Sequence, residues 1–549
     1  MKKLSLLLLF SYCAATTAEG QSTNTPLPRP KLVVGLVVDQ MRWDYLYRYY
    51  DRYADGGFKR MLRQGFSCEN TYIDYLPTVT AIGHTTIYTG SVPAIHGIAG
   101  NDFILNQTGK SMYCTGDSTV QTVGSASTEG KMSPRNLLAS TITDELKMAT
   151  NFRSKVIGIA LKDRGSILPA GHTPDAAYWF DNASGNWITS SYYMNELPGW
   201  LQRFNSQRLP ETYLKKDWNT LFPIETYVQS SKDSNRYEGK FANHTAPTFP
   251  VKTSLSPLQN FDLIRTTPYG NTMTLDLARA AIENENLGKD AITDFLAISC
   301  SSTDYIGHKF GVNSVEIEDT YLRLDRDLSS FFNYLDQRVG KGSYTVFLSA
   351  DHGAAHNAEF LMDNQIPSGY FQSNQALTNL KAKLDSLYKV KNLVISLSNF
   401  QVHLNYPEIS KNALDEEAIR ATCVRFLSEL PAVEFVVDAK NMSKAAIPFE
   451  LQNRVLNGYH KERSGSIVFF LKPGWYPATL NATGTTHGGW HPYDAHIPLV
   501  WMGWGINQGK TVKRTNMTDI SATLASLLRI QTPNGCIGNA IGELIKNSP

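Results

Sequence analysis

The chain has 549 residues, 42% of them hydrophobic and 11% aromatic, with 52 Lys and Arg set against 50 Asp and Glu. That composition excludes a disordered or collagen-like chain, and the length admits one large domain with insertions or two or three ordinary ones. The near-even charge leaves no basic surplus for phosphate backbones, which argues against nucleic acid as a partner.

At the N-terminus, Lys2 and Lys3 precede the largely apolar run Leu4 to Phe10, and small residues follow in AATTAEGQ. This is the order of a secretory signal peptide over residues 1–20, cleaved after Ala18 or Gly20. Lipidation at Cys13 is the alternative, and the bulky Tyr12 before it argues against that. No later run approaches the ~18 apolar residues that span a bilayer. The mature protein is therefore expected to be periplasmic or secreted, with no stable membrane insertion. Residues 21–30, with NTPLPRP, read as a lead-in. The remaining cysteines, Cys68, Cys114, Cys300, Cys423 and Cys536, form no disulfide framework and no CxxC pair. A Cys68–Cys114 bridge is one arrangement the sequence allows without determining it.

Short apolar runs then organise the chain, as expected of strands buried on both faces of a mostly parallel sheet in an α/β fold. LVVGLVV ends at Asp39, KVIGIAL runs into Lys162-Asp163-Arg164, DFLAISC leads through hydroxyl residues to Asp304, and YTVFLSA stops at Asp351-His352-Gly353. Ligands gather beyond the carboxyl ends of such strands, so four runs deliver polar groups to one edge. The stretch from Ser314 to Val339 has apolar residues at helical spacing and reads as core packing. The polar stretches 174–262 and 364–461 read as insertions or a cap, with Tyr178, Trp179 and Phe180 of the first taken as packing aromatics. NFQVHLN and GSIVFFL suggest a small accessory sheet.

Asp304 and His308 stand four apart in TDYIGHKFG, so on a helix they face the same way and suit one ion. His487 lies in TGTTHGGW among small neighbours. Asp351 and His352 are adjacent and would point to opposite faces of a regular strand, so the chain must have left the sheet there. With Asp39 they make a second carboxylate and histidine set. Hard oxygen and imidazole without thiolate fit zinc in a catalytic site with open positions.

The stretch DYLPTVTAIGHTTIYTGSVPAIHGIAGND, Asp74 to Asp102, holds many hydroxyls and no lysine, arginine or glutamate. Together, Asp39, PTVTAIGHT, TDYIGH, SADHG and THGGW resemble the alkaline phosphatase superfamily. GLVVDQMRWDYLYRYY and LKDRGSILPAGH bring the resemblance to the phosphate-irrepressible bacterial alkaline phosphatases with a threonine nucleophile, over essentially the whole mature chain.

The resemblance implies a doubly wound central sheet with helices on both faces, in one catalytic domain over residues 31–549. It also implies two zinc ions, one on Asp304, His308 and His487, the other on Asp39, Asp351 and His352. Thr80 would be the nucleophile on the second zinc, giving a phosphothreonine that water activated on the first zinc then hydrolyses. Thr78, Thr85 and Thr86 read as structural hydroxyls. Asn101 would donate to a nonbridging oxygen. Lys162 and Arg164, two apart and so on one side of an extended segment, would bind the phosphoryl group. A monoester dianion offers more charged oxygens than a diester, so this pair favours phosphate monoesters with broad leaving groups. The rival readings are a nucleotide phosphodiesterase and a metal-holding binding protein without turnover. The sulfatase motif C-x-P-x-R is absent, no carboxylate set for an added magnesium is evident, and the oligomeric state is not set, a monomer being sufficient.

Overall fold

A strand covered on both faces must be apolar throughout, and β1 (Leu32–Val38), β2 (Val156–Ala160), β3 (Asp294–Cys300) and β4 (Tyr344–Ser349) are buried at every position. The computed structural model describes residues 28–546 except 243 and 256–259. In it the four strands are parallel neighbours in the order β4-β1-β3-β2. The expected signal peptide, Cys13 and most of the lead-in lie outside the described residues.

Among the described residues the central sheet has ten strands. Beyond β4 it continues through β5 (Leu499–Gly503), antiparallel to β4, then Phe66–Cys68 and Gly509–Thr511. Beyond β2 come Ala176–Asp181, Asn186–Ser190 and Thr122–Val123. The stretch 174–262 thus starts inside the central sheet, and its Tyr178, Trp179 and Phe180 are core residues, 1–2% exposed. Helices α1 (Thr80–Thr89) and α2 (Asp163–Ala170) pack together on the sheet, while α3 (Ser302–Phe310) and α4 (Val315–Leu335) pack with Tyr269–Glu285 as a second group. The Ser314 hydroxyl caps α4 by accepting from the Ile317 N–H at 3.2 Å.

The docking of α1 explains its composition. All ten of its residues are buried, so charge is excluded and threonine is tolerated because it bonds back along the helix: Thr85 donates to the Ala81 carbonyl at 2.7 Å and Thr89 to that of Thr85 at 2.8 Å. Gly35 of β1 makes the close approach possible, since a Cβ there would stand 2.3 Å from the Tyr88 hydroxyl. Tyr88 instead packs against Phe295 of β3 and Phe347 of β4. This seats the first residue of α1, Thr80, at the carboxyl edge of the sheet.

Val394–Ser398, Gln401–Leu404, Ile467–Leu471 and Val433–Asp438 form a separate antiparallel sheet, where the sequence placed one. It has its own apolar core with Leu380, Val402, Ile419, Cys423 and Ile467. Cys68 and Cys114 are free thiols, as are the other three described cysteines, so the bridge the sequence allowed is not formed.

Candidate active site at the strand ends

Each of the four parallel strands hands a charged or polar group to the same place. Asp39 follows β1, Lys162 follows β2, and Asp351 and His352 follow β4 after the strand has ended at Ser349. After β3 the chain turns into α3, which carries Asp304 in its first turn and His308 in its last. His487 arrives from the irregular segment before Pro492–Ala495. Asp39, Asp304, Asp351, His352 and Lys162 are all at most 3% exposed.

Two groups of ligand atoms lie within 4.8 Å of one another: those of Asp304, His352 and His487, and those of Asp39, Asp351 and His352. His308 Nε2 is 3.1 Å from Asp304 Oδ1, with His487 Nε2 at 3.7 Å from the same oxygen. His352 stacks on His487 at 3.4 Å between ring centroids and is shared between the groups.

The histidines are pre-set as ligands. The Nδ1 atoms of His308, His352 and His487 lie 2.8, 2.9 and 2.8 Å from the backbone carbonyls of Thr485, Gly353 and Thr78. A carbonyl only accepts, so each Nδ1 carries a proton and each ring turns its Nε2 toward the centre, where a lone pair is offered whenever the ring is neutral. Facing these are Asp39 Oδ1 and Asp351 Oδ2, buried oxygens without a hydrogen-bond partner. They stand 3.7 and 3.3 Å from His352 Nε2. Oxygen and nitrogen lone pairs at that range repel unless a cation stands among them, so this donor set fits metal ions.

Lys162 already supplies one positive charge. Its Nζ lies 2.6 Å from Asp39 Oδ2 and 2.6 Å from Asp304 Oδ2. Burial works against that ammonium, but Asp304 and Asp39 outweigh it and raise its pKa. Burial and the charge of Asp351 push Asp39 well above the usual carboxylate range. Burial acts on Asp304 too, yet His308 and Lys162 overcome it and hold that group well below the range. His487 is held well below the usual imidazole range by burial and by His352 and His308, which favours the neutral ligand form.

Thr80 is 1% exposed, and its Oγ1 stands 3.4 Å from His352 Nε2. Asn101 spends its carbonyl oxygen on the Ala81 N–H at 2.9 Å, which leaves its amide hydrogens for another acceptor. Thr78 and Thr85 donate to backbone carbonyls, and Thr86 lies 3.4 Å from His96 Nε2, in keeping with structural roles. Lys162 and Arg164 are not in an extended segment. Lys162 is the extended N-cap of α2 and Arg164 lies in that helix's first turn, so the helix start sets their directions. The Arg164 guanidinium donates to the Tyr113 hydroxyl at 3.0 Å, and that hydroxyl donates to Asp163 at 2.9 Å.

Sequence reasoning missed Gln40, His84 and Tyr113. Gln40 has φ of +66°, which turns its backbone N–H to Asp351 at 3.1 Å and its side-chain amide to Asp304 at 2.6 Å. His84 puts Nδ1 2.9 Å from the Thr80 carbonyl and 3.4 Å from Asp351, and Nε2 2.9 Å from the Ser299 hydroxyl. Its spacing of four from Thr80 was a legible signal.

The family described as Type I phosphodiesterase / nucleotide pyrophosphatase matches residues 33–494. A protein of Myroides odoratus named a calcium-transporting ATPase is 57% identical over 523 residues, 95% of each chain. Alkaline phosphatase PafA of Elizabethkingia meningoseptica is 51% identical over 527 residues, 96% of each chain. The crystal structure of wild-type PafA matches with a TM-score of 0.92 at 50% identity, over 95% of this chain and 100% of that one. A PafA variant with one threonine, one asparagine, one lysine and one arginine replaced gives the same TM-score of 0.92.

Proposed function

We infer the function from family and site together: this chain belongs to the type I phosphodiesterase and nucleotide pyrophosphatase family of the alkaline phosphatase superfamily, and it is an alkaline phosphatase, a hydrolase of phosphate monoesters. Two zinc ions fit the donor set, one on Asp304, His308 and His487, the other on Asp39, Asp351 and His352 with Thr80. When bound they supply Lewis-acid charge at the attacking and departing oxygens of an in-line displacement.

Thr80 Oγ1 attacks phosphorus, the bond from phosphorus to the ester oxygen breaks, and the alcohol leaves. Water then attacks the phosphothreonine, releases phosphate and restores the hydroxyl. Two in-line displacements retain configuration at phosphorus. The first turn of α1 holds Thr80 in place through the His84 contact to its carbonyl. Asn101, fixed by Ala81, donates its amide to a nonbridging oxygen, and Lys162 and Arg164 hold the others. The four residue types altered in the PafA variant are those in these four roles.

The observation that carries monoesters over diesters is Lys162 and Arg164, both directed from the start of α2, with Lys162 anchored between Asp39 and Asp304. Two cations are matched to a dianion, and a diester has only one negative charge to offer. A terminal phosphoryl group on an anhydride presents the same oxygens, which places nucleoside triphosphates within reach. The family's description favours one second reading, a nucleotide phosphodiesterase. The rates on an aryl phosphate monoester and the matching diester, measured on zinc-loaded protein, separate the two. A large monoester preference is expected, and a diester preference would overturn the assignment. The binding-protein reading predicts no turnover of either. Export rests on residues 1–20, and among the described residues no helix is long and apolar enough to cross a membrane.

A further inference from the structure

The ring of Tyr305 has two cations near it, one that holds the phosphoryl group and one with no role there. Lys162 Nζ stands 5.0 Å from the centre of the ring, and the guanidinium carbon of Arg265 stands 5.5 Å from it. In α3 the side chain of His308 is 36% exposed and that of Asp304 is 5% exposed, so the site opens at the His308 end. Tyr305 precedes His308 by three residues, which sets it beside that histidine on the helix surface, half-buried. Arg265 comes from Phe261–Thr266, a short helix packed against α3. Its commitments are light. The Nε is buried without a hydrogen-bond partner, the contact with the Phe180 carbonyl is 3.4 Å, and the ion pair is 3.5 Å to Asp262, whose side chain is 63% exposed.

The departing oxygen comes out on this side. Thr80 Oγ1 stands 3.4 Å from His352 Nε2, in the group with Asp39 and Asp351. An in-line displacement drives the leaving oxygen to the face of phosphorus opposite the nucleophile, toward Asp304, His308 and His487. Tyr305 follows Asp304 directly and neighbours His308, so the group bonded to that oxygen lies against Tyr305.

We propose that Tyr305 and Arg265 form a leaving-group subsite that takes the second phosphate of a phosphoanhydride such as a nucleoside diphosphate. The inference rests on the phosphatase reading above and narrows its substrate class. Lys162 and Arg164 hold the terminal phosphoryl group while Arg265 pairs with the adjacent phosphate, and their approach to one ring keeps Lys162 and Arg265 within reach of a single diphosphate. The bond from Thr80 Oγ1 to the terminal phosphorus forms, the bond from that phosphorus to the bridging oxygen breaks, and the bridging oxygen leaves on the second phosphate as part of a nucleoside monophosphate. That oxygen gathers negative charge as it departs, and the guanidinium stabilises it. The Tyr305 ring steadies the guanidinium by its face, and Asp262, largely in water, competes weakly for it. The alcohol of a simple monoester gives Arg265 nothing to bind.

Adenosine diphosphate and phenyl phosphate, compared on zinc-loaded protein, provide two tests. By rate, the ratio of kcat/KM on the diphosphate to kcat/KM on phenyl phosphate should fall about tenfold in R265Q and be largely restored in R265K. By calorimetry, with Thr80→Ala protein to prevent turnover, R265Q should weaken binding of adenosine diphosphate about tenfold relative to phenyl phosphate. D262N, which alters an exposed carboxylate, should raise both ratios and carries the test should R265Q fail to fold. Ratios unchanged in R265Q, or in D262N where R265Q does not fold, would overturn the subsite. Wild type that turns over neither compound would overturn the phosphatase reading instead, and the calorimetric ratio would still decide the subsite.

Discussion

Asp304 leaves the first turn of α3 to join Asp39 and Asp351, while Glu316, in the first turn of α4, is buried with neither carboxylate oxygen hydrogen-bonded. The buried acids of two successive helix starts thus sit in different company. The first has a resident cation, Lys162, bonded to two of its aspartates, and three histidines at its rim. Glu316 has no hydrogen-bond partner, and burial raises its pKa well above the ordinary carboxylate value. His308 and Lys162 hold Asp304 in its charged form, whereas burial disfavours that form in Glu316, so the difference is one of partners.

Breaking the first cluster should give the largest effects. Thr80→Ala is expected to lower kcat on the order of 10⁴–10⁶-fold while leaving metal content unchanged, checked by turnover and elemental analysis together. Lys162→Ala removes a phosphoryl contact and the charge between Asp39 and Asp304. It should cost roughly 10²–10³-fold in monoester kcat/KM, with a smaller loss on diesters. In metal-stripped protein the same change should destabilise by about 3–5 kcal/mol, because buried carboxylates lose their partner, and metal should recover much of that loss in a denaturant titration. Tyr113→Phe deletes the hydroxyl between Arg164 and Asp163. A loss of about tenfold in monoester kcat/KM is expected, with the diester rate little changed.

The smallest effect sharpens the other side of the comparison. Burial raises Glu238 from its ordinary 4.5 to about 8, and Glu316 is raised well above 4.5 by burial and by Glu238. A group whose folded pKa is raised stabilises the fold below its unfolded pKa, and that stability is lost as pH rises through the folded value. The protein should therefore lose stability between pH of about 4.5 and 8. E316Q should flatten this decline. Melting temperatures across that range decide it.

Much of the first cluster was legible because strands covered on both faces are uniformly apolar and end in abrupt polar punctuation. Asp39, Asp304 and Asp351 each stand at or just past such an end, and the four-residue step to His308 needs only helical periodicity. Lys162 and Arg164 were expected on an extended segment because KVIGIAL gives no sign of where the strand stops. The strand ends at Ala160 and the helix opens at Asp163, which reorients the pair. Gln40 was hidden because a positive φ at a non-glycine residue has no sequence signature. Tyr113 reaches Arg164 from a separate hairpin, Asp102–Leu105 with Lys110–Tyr113. Contacts between distant segments follow from packing, which local pattern does not encode.

The order in which the site's residues leave the ribosome has its own consequence. Asp39 is made early and His487 late, and the carbonyl that orients His487 belongs to Thr78. A growing chain that stops short of Thr485 lacks both His487 and the acceptor that sets the His308 ring. Incomplete chains can therefore offer only a partial metal grip, and the centre closes only when the last part of the polypeptide returns to the first. Ion capture becomes a late checkpoint in biogenesis, available to full-length molecules and denied to truncated ones.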